Sequence, residues 1–274
     1  SMKAFRKSTT RIQLEFDNDK QRRSLQKETS FLVPGYIHTV AYKSGKWDGT
    51  KCFLTETNTL RVGMFKTLFP EHSLVFDKEF KSLSFDDIPL YQTLNIERRD
   101  YQLEAINKIL QNKLGIINCI MGSGKTLIAA ATLSYHLSLD SRNKALFVVY
   151  DRNILYQTIK NFEKYGFNVS QFGDGVKDLS GDIVVAVINS LNNIEKPKEV
   201  LKYVTYVICD EAHQGKSKSS RDVLTKLPNC SYFIGLTATP HVDRSLATAE
   251  LQSVLGPIIY EYGFTEGVKD GKVA

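Results

Sequence analysis

Apolar and polar positions along the chain fall into two regimes. From residue 96 onward, short, mostly apolar runs alternate with longer stretches of helical period. The runs are Ile116–Ile120, Ala145–Tyr150, Val184–Ser190, Tyr206–Cys209 and a block starting at Phe233. Continuous apolar runs bounded by turn residues mark strands buried on both faces, and their alternation with helices predicts a parallel sheet. Leu127–Leu137, rich in Ala and Leu, suits a helix. Before residue 86 the pattern is different. Arg11–Phe16 alternates as a half-buried strand does, and Asp19–Glu28 and Val62–Phe69 read as helices. Tyr36–Tyr42 and Thr50–Leu54 read as two strands joined through the turn residues of 43–49, and Ser73–Phe76 as a last strand. The expected organisation is a small α+β domain over 1–85, a linker over 86–95 around Asp86-Asp87-Ile88-Pro89, and a doubly wound α/β lobe over 96–274.

Two places in the lobe carry chemistry. Cys119-Ile120-Met121-Gly122-Ser123-Gly124-Lys125-Thr126 ends an apolar run in a glycine turn and opens a helix. In a strand–glycine loop–helix, backbone N–H groups converge on an anion, and the helix N-terminus adds positive potential. Gly122, Ser123 and Gly124 would cradle a triphosphate, Lys125 would reach its β- and γ-phosphates, and Thr126 would hold Mg²⁺. The strict phosphate-loop pattern has glycine where this chain has Cys119. The second place is Asp210-Glu211-Ala212-His213, at the end of the Tyr206–Cys209 run. Charged side chains are rarely buried unless paired or metal-bound, so two carboxylates at a strand's C-terminal end suggest a site. Asp210 is placed to hold Mg²⁺ and Glu211 to orient and deprotonate the attacking water. His213 is a further catalytic candidate or a solvated surface histidine. The hydroxyls of Thr237 and Thr239, closing the Phe233 block, would bond the histidine or the acidic pair, or simply end a strand.

In this order these blocks resemble the superfamily 2 helicases and translocases of the DEAH type, a family with a RecA-like (P-loop NTPase) fold. Arg99-Asp100-Tyr101-Gln102 lies where that superfamily carries an arginine–x–tyrosine–glutamine element. The resemblance implies that Gln102 reads the adenine edge, with Arg99 nearby. It also implies nucleic-acid backbone contacts from the segment after Ala145–Tyr150, hence Arg152, and from the strand-end loop holding Asn189 and Ser190. Many relatives have Pro-Thr where this chain has Tyr150-Asp151. Ser44-Gly45-Lys46-Trp47-Asp48-Gly49 and Leu60–Phe65 resemble the N-terminal domain of phage UvsW recombination helicases, in which a small domain is thought to engage duplex DNA. Lys43 and Lys46 become candidate DNA contacts, and Trp47 either a base-stacking platform or a core anchor.

Composition refines this picture. Residues 1–66 hold 13 Lys and Arg against 6 Asp and Glu, and the remainder 23 against 24. The basic character therefore sits in front, as a nucleic-acid surface would, or as a merely solvated basic face. No run of about 18 apolar residues implies a membrane span. Ser1-Met2 reads as a cloning remnant before a native start, with no secretory signal. The four cysteines lack metal-pair spacing, consistent with reduced thiols in a bacterial or phage-infected cytoplasm.

The expected function is the N-terminal part of an ATP- and Mg²⁺-dependent DNA helicase or translocase acting on branched or recombination DNA. The 34 residues after Pro240 are too few for the second RecA-like lobe and its arginine finger, so the chain alone is expected to bind nucleotide weakly and hydrolyse it poorly. Two alternatives stay open. One is the motor of a type I restriction translocase. The other is a nucleotide-switched DNA-binding module without turnover.

Overall fold

The computed structural model describes residues 2–72, 79–120, 124–212, 221–238 and 243–263. The chain divides into two compact units, Ser1–Glu79 with His241–Pro257, and Phe80–Pro240 with Ile258–Ala274.

In the first unit five short strands are β1 (Lys3–Arg6), β2 (Arg11–Glu15), β3 (Ser30–Leu32), β4 (Thr50–Cys52) and β5 (Thr59–Arg61). β1, β2 and β5 form an antiparallel sheet in that order, and β3 pairs with β4 as a separate ribbon. Alternation along β2 buries Ile12 and Leu14 while Arg11 and Gln13 are half-buried. The helix Asp19–Glu28 starts where Asn18 Oδ1 accepts from Gln21 N at 2.9 Å, satisfying one of the free first-turn amides.

Tyr36–Tyr42 is not a strand. It forms a 3₁₀ turn at Tyr36–His38 and a short helix at Val40–Lys43. The left-handed Gly35 (φ 75°) turns the chain out of extended geometry, and Thr39 Oγ1 then caps Tyr42 N. Thr50–Cys52 pairs instead with Ser30–Leu32. The strand expected at 73–76 lies outside the described residues.

The helix Val62–Leu68 buries Val62, Met64 and Phe65 and packs on a second helix, Leu246–Leu255, of the same unit. Gly63 makes that packing close: a Cβ there would stand 2.3 Å from Gln252 O and 2.5 Å from Ser253 O. The unit is thus completed by a segment nearly 180 positions further along, which the expected 96–274 lobe had included.

The second unit is built on β6 (Leu114–Cys119), β7 (Ala145–Val149), β8 (Val169–Gly173), β9 (Val176–Lys177), β10 (Ile183–Val187), β11 (Tyr206–Cys209), β12 (Tyr232–Thr237) and β13 (Ile258–Tyr262). The sheet order is β13-β6-β12-β11-β7-β10-β8-β9, parallel throughout except for the β8–β9 pair. β7 and β11 are buried at every position, which is why they read as unbroken apolar runs.

Residues 86–95 are part of this unit. A 3₁₀ turn, Phe85–Asp87, leads into the short helix Pro89–Thr93, and Ile88, Leu90 and Tyr91 enter the lobe's core. Asn107 clasps the preceding segment, its side chain bonding both Leu83 N and Leu83 O. The polar Asp-Asp and the proline punctuate this segment, but its apolar positions have a core to fill.

Candidate functional site: the phosphate-loop lysine and the acidic strand end

Parallel strands end on the same edge, and here β6, β12 and β11 are consecutive neighbours. Thr237 lies in register with Asn118, and Gly235 with both Ile116 and Cys209. The last residue of β12 and the chain leaving β6 and β11 therefore meet at one edge. After β6, Gly124 adopts φ 89°, a left-handed value that glycine takes without strain, and the helix Lys125–Leu139 starts at the next residue. Gly122 and Ser123 lie outside the described residues.

At that edge the lysine and the acids meet. Lys125 Nζ is 3.3 Å from Glu211 Oε1, with the lysine side chain 14% exposed and the glutamate 36%. Glu211 itself is left-handed (φ 50°), an uncommon conformation for a residue with a side chain and one that clusters at functional sites. Its amide donates to Asp210 Oδ1 at 3.0 Å, while Asp210 N donates to Val148 O, tying the acid pair to the end of β7. Burial pushes the Asp210 carboxyl above its usual range; Lys125 opposes this and Glu211 adds to it. Two carboxylates converging on one ammonium therefore leave a negative, partly desolvated position.

The donors suit magnesium bound with its phosphates. That ion takes hard oxygen ligands, commonly one or two carboxylates plus phosphate oxygens. The Asp210 carboxylate and the half-buried Thr126 hydroxyl are of that kind. Thr237 is buried at the edge between them in strand order. His213 and Thr239 lie outside the described residues.

Gln102 sits on the helix Asp100–Asn112, 2% exposed. Its Oε1 accepts from Tyr91 Oη at 2.9 Å and from Arg99 N at 3.4 Å. Arg99 pairs with Glu97 at 2.9 Å. Between them Tyr101 stacks on Tyr262 with ring centroids 4.1 Å apart, and its hydroxyl lies 3.7 Å from where a Cβ on Gly124 would be. Tyr101 thus links the Arg99–Gln102 turn to the phosphate loop. Sequence reasoning gave no role to Tyr101 and missed Tyr91 and Tyr262. Tyr101 could have been found, because it lies inside the Arg-x-Tyr-Gln element; the other two carry no local signal.

Arg152 and Asn189 project at the ends of the next strands along this edge. Arg152 opens the helix Arg152–Lys164 after β7 and is exposed. Asn189, exposed, and Ser190, half-buried, lie on a short helix, Ile188–Asn192, not on a loop. β7 and β10 are paired, so these residues share one side of the lobe. In the first unit Lys43 and Lys46 are exposed, while Trp47 is half-buried with its indole N–H donating to Thr50 O at 2.8 Å.

A parallel sheet whose glycine turn, lysine and acid pair converge at the strands' C-terminal edge is a RecA-like lobe of the P-loop NTPase type. Residues 95–242, just over half the chain, match the family described as type III restriction enzyme, res subunit (ResIII). The chain belongs to that family, and with it to the superfamily 2 helicases.

Among curated proteins, the chain is 32% identical over 173 residues to the DNA 3'-5' translocase XPB2 of Sulfurisphaera tokodaii, covering 62% of this chain and 37% of that protein. It is 24% identical over 267 residues to the ATP-dependent DNA helicase uvsW of Enterobacteria phage T4, covering 89% and 53%. The crystal structure of the UvsW helicase from bacteriophage T4 superposes with a TM-score of 0.77 at 21% identity, covering 95% of this chain and 99% of that one. The fold of both units is therefore shared with a solved helicase. The chain spans about half or less of the length of these curated relatives. Among the described residues no helix is long and apolar enough to cross a membrane.

Proposed function

We propose that this chain is the nucleotide-binding lobe, with an accessory basic domain, of an ATP-dependent DNA translocase or helicase. The observation that carries the reading is the 3.3 Å approach of Lys125 to Glu211 beside a partly buried Asp210. A lysine parked on a carboxylate is ready to exchange that partner for phosphate oxygens, a stronger multivalent anion. When Lys125 transfers to the β- and γ-phosphates, Glu211 is released to orient a water and accept its proton. Asp210 and Thr126 would hold Mg²⁺, which supplies neutralisation of charge on the phosphates. Gly122, Ser123 and Gly124 would offer amides to them, and Gln102, buried here with its Oε1 held by Tyr91 and Arg99 N, would turn its amide N–H groups toward the adenine, with Arg99 beside it. Thr237 and Thr239 would couple the acid pair to movement of the lobe, together with His213.

Arg152, Asn189 and Ser190 would bind DNA phosphates, as would Lys43 and Lys46, giving salt-sensitive and largely sequence-independent affinity. A second RecA-like lobe would close over the nucleotide and complete the motor. Branched or recombination DNA is the proposed substrate, on the resemblance of residues 44–49 and 60–65 to the N-terminal domain of UvsW helicases. The type I restriction reading shares this motor; a nuclease elsewhere in the full-length protein would select it. The test is Glu211→Gln in the full-length protein. ATP binding is expected to persist while DNA-stimulated turnover falls by several orders of magnitude. Normal turnover would overturn the base role.

A further inference from the structure

Nine large apolar side chains stand exposed among the described residues, and four of them, Leu32, Ile37, Val40 and Tyr42, fall between positions 32 and 42. That stretch belongs to the closed end of the β3–β4 ribbon. Val40 is 82% exposed, on a helix of a single turn.

The ribbon end is built to be stiff. Val33 N donates to Gly49 O at 2.8 Å, and the amides of Lys46 and Trp47 both donate to Ala41 O. Tyr36 packs edge-on against Tyr42 with centroids 4.8 Å apart. Gly49, at φ 85°, lies so close beneath Tyr36 that a Cβ would stand 2.4 Å from the ring. Trp47 is half-buried and its indole N–H donates to Thr50 O at 2.8 Å, which braces the end further. Apolar groups held out by a rigid frame have already lost the conformational freedom that binding would cost.

The charges around them narrow the partner. Lys51 is already paired with Glu250 at 3.0 Å, which leaves Lys43 and Lys46 in residues 31–51 against one acid, Asp48. That acid is occupied by Thr50 N at 3.0 Å and Thr50 Oγ1 at 2.7 Å. An apolar ridge flanked by cations suits a polyanion with apolar faces inside it. Proteins that pry base steps apart use aliphatic wedges in this way, with basic side chains on the adjoining phosphates.

We propose that the ribbon end is a base-step wedge: Ile37 and Val40 insert against the terminal base pair at a DNA branch point, while Lys43 and Lys46 hold the flanking phosphates. This rests on the DNA-translocase reading and adds a preference for branch points that lysines alone do not give.

The test uses the 274-residue chain with a forked duplex carrying 2-aminopurine at the junction, and a linear duplex of equal length. The chain is expected to bind the fork about tenfold more tightly and to brighten the probe, a change that covering a single aliphatic side chain can supply. The double substitution Ile37→Ser with Val40→Ser should erase both effects while leaving duplex affinity within about twofold. Lys43→Ala with Lys46→Ala should weaken both DNAs alike and reduce the salt slope by about two. Unchanged Trp47 fluorescence reports that each variant keeps the ribbon. Salt-dependent binding without fork preference, or fork preference surviving the serine pair, overturns the wedge and leaves the DNA reading standing. No binding to either DNA sinks both.

Discussion

Gly63→Ala is the sharpest probe of how the first unit is closed. The added methyl would stand 2.3 Å from Gln252 O, 2.5 Å from Ser253 O and 2.7 Å from Ser253 C, all backbone atoms that cannot rotate away. Ordinary carbon contacts lie at about 3.5–4.0 Å, so the helices Val62–Leu68 and Leu246–Leu255 must separate by roughly 1 Å. Overpacking of this kind costs about 1–3 kcal/mol, offset by up to about 1 kcal/mol of alanine's better helix propensity. The net expectation is a destabilisation of about 1–2 kcal/mol, or a few degrees in a chain of this size. Trp47 is the sole tryptophan and lies in this unit, so its fluorescence in a urea titration follows the first unit selectively. A lowered midpoint for the Trp47 transition is expected, with nucleotide binding by the lobe unaffected. An unchanged midpoint would refute the packing of 246–255 against Gly63.

Two further tests concern the lobe. His136 is buried, bonded through Nε2 to Thr205 Oγ1 at 2.7 Å and edge-on to Tyr206 and Tyr232; burial pushes its pKa down from 6.5 to about 4. The unfolded chain then binds the proton first, so stability present above pH 6.5 is lost as pH falls toward 4, by on the order of 2–3 kcal/mol at pH 4.5. His136→Gln should flatten that acid limb in urea titrations, and an equally steep limb in the variant would exclude His136 as its source. Tyr91→Phe removes the donor to buried Gln102 Oε1 and is expected to cost about 1–3 kcal/mol. ATP-over-GTP selectivity should fall with it, whereas intact selectivity would separate Tyr91 from base reading.

The lobe was legible because both its elements and its site are local patterns. Buried parallel strands write themselves as apolar runs, and Lys125 and Asp210-Glu211 each follow such a run directly. Their meeting needs one non-local fact, that β12 lies between β6 and β11, which follows from strand order and not from spacing. What escaped was non-local or mixed in signal. Tyr36–Tyr42 alternates like a strand, but Gly35 and the Thr39 cap decide its turn and helix. Asp86-Asp87-Ile88-Pro89 has a linker's punctuation, yet Ile88 and Leu90 fill the lobe's core. The helix 246–255 carries nothing local to say that its partner is Gly63. Tyr91 and Tyr262 likewise reach the candidate site only through tertiary packing.

Lys125 as the ligand of a triphosphate at the acidic strand end is the central proposal. Titrating Mg·ATP into the wild-type chain and into Lys125→Ala by calorimetry measures this directly. Binding weakened by about 100-fold or more in the variant is the predicted result, and equal affinity in the two proteins would contradict it.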